Sequence, residues 1–102
     1  MFKVLENYYE VREEENIEVF GCTSVDLDVY PGEKRAIVYF IDSAHMVEIF
    51  KVEKGFYCTL MTELEEKVIY KKLVRKNEHL IELLEYYEDI CICGKVDKIK
   101  AA

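Results

Sequence analysis

Glutamine is absent from this chain, and asparagine occurs only as Asn7, Asn16 and Asn77. One proline and four glycines leave little material for a flexible linker. With no composition break either, the 102 residues read as a single domain, 1–102, with room for one core. No stretch approaches the roughly 18 uninterrupted apolar residues that a membrane span needs. The N-terminal MFKVLENYYE lacks the basic-then-apolar order of a secretory leader. The expectation is a soluble, cytoplasmic protein with no membrane contact.

What fills the chain is Glu, Lys, Ile, Val and Tyr. Depletion of thermolabile amides beside abundant Glu and Lys is a heat-adapted bias. In composition and size the chain resembles the small proteins of hyperthermophilic archaea and of their filamentous viruses. The resemblance implies a viral protein in the cytoplasm of its host. It rests on no motif and carries no site residue with it.

The net charge is −7, unevenly spread. Residues 1–30 hold eight acids against two bases, whereas residues 62–102 hold nine against eight. An acidic whole repels a phosphate backbone and argues against indiscriminate nucleic-acid binding. A local basic patch can still override it.

The middle of the chain is strand-like. SVDLDVY (24–30) puts Val25, Leu27 and Val29 on one face and Asp26 and Asp28 on the other. Pro31 and Gly32 predict a tight turn, with Gly32 taking the positive φ. RAIVYFID (35–42) is apolar on both faces, as a central strand would be. MVEIFKVE (46–53) and FYCTLM (56–61) follow across Lys54-Gly55. Connections this short demand antiparallel neighbours. NIEVFGC (16–22) is another strand candidate, with Gly21 marking a bulge. Residues 8–13 can pair back as a strand, while Phe2, Leu5 and Tyr9 equally fit a short helix.

From Thr62 the period changes. Thr62 and Glu65 read as a capping box. Apolar residues at 69, 73, 80, 84 and 87 then keep helical spacing, predicting one helix over 62–89 or a break at Asn77 into two. The fold class is α+β: an antiparallel meander of about five strands packed against one long or two shorter C-terminal helices.

Chemistry-bearing residues are few. The C-x-C of Cys91 and Cys93 clamps a metal less readily than C-x₂-C, and no second close ligand pair accompanies it. On a helix the two sulfurs stand about 200° apart. No metal or other cofactor is expected, and the four cysteines read as small buried hydrophobes. The competing reading is a disulfide between Cys22 and Cys58. Ser43 and His45 lack the third group of a triad, and no phosphate loop, nucleophile elbow or H-E-x-x-H helix is present. A non-enzymatic protein is expected.

Two surfaces remain. Lys67, Lys71, Lys72, Arg75 and Lys76 would share one broad basic helix face, the one feature suited to nucleic acid. An unbroken 62–89 helix would overhang a domain of this size. Ile81, Leu83, Tyr86 and Ile90 then exceed what one sheet-facing stripe needs, and would form a homodimer interface. The reading that results is a protein–protein interaction module acting as a homodimer. A nucleic-acid-binding or regulatory protein using the 67–76 face is the alternative.

Overall fold

The computed structural model describes residues 2–15 and 25–92. The expected strand at 16–22, the bulge at Gly21, Cys22, Cys93 and the helix stop at Gly94 lie outside them.

Helix α1 spans Lys3–Glu15. Its first turn closes on Phe2, whose carbonyl accepts from the backbone N–H groups of Leu5 and Glu6 at 3.1 and 3.0 Å. Phe2 and Leu5, three apart, are both buried in the core. The helical alternative for the N-terminus is therefore the one realised, and residues 8–13 form no strand.

Five strands follow: β1 Val25–Tyr30, β2 Arg35–Phe40, β3 His45–Val52, β4 Gly55–Thr62 and β5 Val68–Val74. They form one antiparallel sheet in the order β1-β2-β3-β4-β5. The first two hairpins turn identically. Pro31–Glu33 and Ile41–Ser43 each make one 3₁₀ turn, followed by a left-handed residue, Lys34 (φ 53°) and Ala44 (φ 56°). The positive φ expected of Gly32 thus falls on Lys34. Ile41 and Asp42, expected at the end of a strand, belong to the second turn.

The expected helix over 62–89 is corrected in its first half. Residues 68–74 are a strand, and helix α2 begins only at Asn77 and runs to Ile92. Val68, Ile69, Tyr70 and Val74 are β-branched or aromatic and prefer a pleated surface. The outer edge of β4 offers them a ladder of hydrogen bonds that an isolated helix cannot match. Thr62 still caps, but it caps a loop. Its hydroxyl accepts from the Lys67 N–H at 3.1 Å, and its own N–H donates to the Lys67 carbonyl at 3.0 Å. Neither one helix nor a helical hairpin results: Asn77 does begin a helix, as the two-helix alternative had it, but a strand and not a helix precedes it. Sixteen residues make a helix of about 24 Å, which the 36 × 35 × 24 Å body contains without overhang.

Both helices lie on one face of the sheet. The main core there joins Phe2 and Leu5 to Val38, Phe40, Val47, Ile49, Cys58 and Leu60, and to Leu80, Leu84 and Tyr87 of α2. Because α2 touches α1 as well as the sheet, it buries more than one stripe. Leu83 and Ile90 are only 8% and 7% exposed.

Candidate functional site

Two surfaces are candidates: the sheet face on which no helix lies among the described residues, and a cleft beside β5. On the helix-free face the strand register stacks side chains into three rows. One row reads Tyr30, Arg35, Phe50, Tyr57 and Leu73 across the strands. The next reads Asp28, Ile37, Glu48, Thr59 and Lys71. The third reads Asp26, Tyr39, Met46, Met61 and Val68.

Ile37, Met46 and Met61 form a second small core under Tyr30 and Tyr39. Tyr57, Leu73 and Val68 are more than a third exposed. The face is therefore apolar and aromatic in its middle, acidic at the β1 edge and basic at the β5 edge.

Arg35 organises the centre of this face. Its guanidinium donates to Glu48 Oε2 at 3.0 Å and to Glu33 Oε2 at 3.3 Å. Its guanidinium carbon also sits 4.6 Å from the centre of the Tyr30 ring. The hydrogen bond to Glu48 is the main reason that its pKa is raised further above an already high value. The Tyr39 hydroxyl is pushed up, first by burial and then by Tyr30 and Asp28.

The cleft lies between the end of β5 and α2. It encloses about 620 Å³, and Lys72, Arg75, Lys76, His79, Glu82, Leu83 and Tyr86 line it together with Leu73 and Val74. His79, Glu82, Leu83 and Tyr86 follow 3–4 residue spacing, so one face of α2 supplies all four. Lys72, Arg75 and Lys76 are exposed, and among the described residues none of the three is ion-paired.

The structure redistributes the expected site residues. Lys67, Lys71, Lys72, Arg75 and Lys76 share no helix face, because 68–74 is a strand. Lys71 projects onto the open face, whereas Lys72 shares the helix side with Tyr70 and Val74. Lys72, Arg75 and Lys76 meet at the cleft; Lys67 and Lys71 do not line it.

Of the expected dimer surface, Leu83 and Ile90 are core, and Ile81 packs against the core. Only Tyr86 stands out, 54% exposed. The overhang on which that interface rested does not exist.

The remaining candidates are the cysteines, Ser43 and the paired strand aspartates. Cys58 and Cys91 are free, buried thiols. Burial pushes Cys58 up to about 12 and Cys91 up to about 11, the latter despite an opposing hydrogen bond with Ser43. Such thiols are poor nucleophiles and poor metal ligands. Ser43 Oγ also donates to the Phe40 carbonyl at 3.3 Å, inside its own turn. Asp26 and Asp28 are exposed on one strand face, and among the described residues no cluster of three metal-ligating side chains occurs.

Sequence reasoning missed the cleft, because Leu83 and Tyr86 reach residues 72–76 only through the fold. The open face did leave a signal: β2, β3 and β4 are apolar on both sides, and one helical layer covers only one side. No helix among the described residues is long and apolar enough to cross a membrane. Compared with known proteins, the chain matches no family model, no curated protein and no solved structure.

Proposed function

We propose that this protein is a non-enzymatic protein–protein interaction module that acts as a homodimer, joined through the helix-free faces of two sheets. The carrying observation is the row order on that face. A two-fold axis between the sheets, parallel to the strands, lays β1 of each copy over β5 of the other and keeps every row in place.

Asp28 then meets the partner's Lys71 within one row. In the next row Arg35 meets Tyr57, Tyr30 meets Leu73, and Phe50 meets its own copy. In the third, Asp26 meets Val68, the exposed ends of a row whose Met46 and Met61 are already buried within each copy. Glu48 meets its own copy at the axis, and the repulsion between the two carboxylates is offset because each is bridged by its own Arg35. Aligned packing departs from this ideal by about 30° of sheet twist, which the central rows tolerate best.

Five strands about 4.8 Å apart and rows spanning about 20 Å give a footprint of roughly 500 Å² per copy. Ile37, Met46, Thr59 and Met61 within it are already buried, so the contact rests on Tyr30, Arg35, Phe50, Tyr57, Leu73 and Val68.

Light scattering tests the reading. A mass of twice the 12.1 kDa chain at tens of micromolar is expected, and a monomeric mass overturns it.

A further inference from the structure

We infer that the cleft beside β5 takes a second, different partner: a short acidic peptide segment that adds as a strand to the outer edge of β5. This inference uses the edge and helix side of β5, so it does not depend on the dimer through the open face.

Three observations converge. First, β5 ends the sheet, and among the described residues nothing pairs with its outer edge. A row of free backbone donors and acceptors is a template for one more strand.

Second, the cleft at the end of that edge has cations on its rim. Lys72, Arg75 and Lys76 are exposed and without ion-pair partners among the described residues, against the one carboxylate of Glu82 in the lining. In a chain of net charge −7 this is a local inversion of sign, and it selects carboxylate side chains.

Third, the floor is apolar. Leu83 and Val74 are buried beneath it, and Tyr86 stands half-open at its side. Along an added strand, side chains alternate between the two faces. One set would settle on Leu83 and Tyr86 while acids elsewhere in the segment reach Arg75 and Lys76.

The occupant is a peptide rather than a nucleic acid for two reasons. Only a peptide uses the free backbone edge. A long polyanion also runs on past the cleft into the acids that surround it, whereas a short segment meets only the local cations.

The probe is a fluorescein-labelled hexapeptide of alternating glutamate and valine, followed by anisotropy against the full chain. Saturable binding that weakens with salt is expected. Arg75→Glu combined with Lys76→Glu, shown folded by circular dichroism, should lose at least about tenfold in affinity. Methylating alternate backbone nitrogens of the peptide leaves its charges intact and should abolish binding, because strand pairing is lost. Equal binding of the methylated peptide overturns the inference, since plain charge attraction then suffices. Tighter binding of an oligothymidylate overturns it in favour of nucleic acid. No anisotropy change up to about 1 mM peptide overturns it outright.

Discussion

A β-carbon on Gly55 would stand 2.1 Å from the backbone carbonyl oxygen of Val74. Gly55 begins β4 at φ 149°, opposite Val52 across the β3–β4 turn. The close approach joins that turn to the end of β5, where the chain leaves for the cleft and α2. Any larger residue must displace backbone, because the next nearest atom, the Arg75 Cα, is only 2.8 Å away. Gly55→Ala should cost about 2–4 kcal/mol. Urea unfolding measures it, and an unchanged midpoint would show that β5 moves freely.

Lys34 and Ala44 carry the opposite lesson. Both sit in left-handed backbone, φ 53° and 56°, where a side chain costs about 1–2 kcal/mol and glycine does not. Each closes its turn with a backbone N–H donated to the residue three back, Pro31 and Ile41. Both residues are exposed, so nothing else is lost on substitution. Lys34→Gly and Ala44→Gly should each stabilise by about 0.5–1 kcal/mol, after the extra chain entropy of glycine is deducted. A lowered melting temperature in either variant would contradict this account of the hairpins.

Local pattern revealed most of the sheet. The alternation of Val25, Leu27 and Val29 against Asp26 and Asp28 placed β1 and its faces, and the short connections forced antiparallel neighbours. Strand β5 was misread because Ile69, Leu73 and Leu80 also satisfy a helical period. What decides against the helix is the free edge of β4, a non-local partner that a window of sequence does not contain. The same error moved the basic residues: on a strand Lys71 and Lys72 point to opposite faces, so one patch becomes two surfaces. Leu83 and Ile90 read as surplus because α1 was not known to lie beside α2. Their burial removes them from any surface contact.

The buried thiols set an alkaline limit. Cys58 and Cys91 have ordinary values of 9.0, and the fold raises them to about 12 and about 11. Below pH 9 both thiols are protonated in the folded and unfolded chain alike. Above it the unfolded chain releases protons that the native one retains, so stability falls as pH rises towards 11–12. Each group contributes a loss of up to about 1.4 kcal/mol per pH unit in that window. Burial pushes the Tyr87 hydroxyl up as well, and it has no hydrogen-bond partner among the described residues, which steepens the fall. Thermal melts at pH 8 and pH 10.5 should therefore diverge, and Cys58→Ala with Cys91→Ala should narrow the gap while lowering both melts. A gap as wide as that of the parent chain would remove the thiols as its cause.

The proposed dimer through the open face makes a demand that no helix-mediated contact shares. Tyr57 is 38% exposed on that face and Tyr86 is 54% exposed on α2. If area alone governed, Tyr86→Asp would be the more disruptive change. The row order requires the reverse. Tyr57→Lys places a second cation opposite the partner's Arg35, in a row otherwise filled by Phe50, Tyr30 and Leu73. It removes aromatic area from the middle of the interface, and should raise the dimer dissociation constant at least about tenfold, roughly 1.4 kcal/mol. Tyr86→Asp should leave that constant within about twofold. Charge pairing at the rim is the finer check. Asp28→Lys and Lys71→Glu each put like charges opposite one another and should weaken the dimer by about 0.5–1 kcal/mol. Both together restore opposite signs across the two-fold, so the double variant should recover most of the loss. Sedimentation equilibrium at low salt gives all the constants needed. Losses that simply add in the double variant would show that Asp28 and Lys71 never meet, and would rule out the axis parallel to the strands.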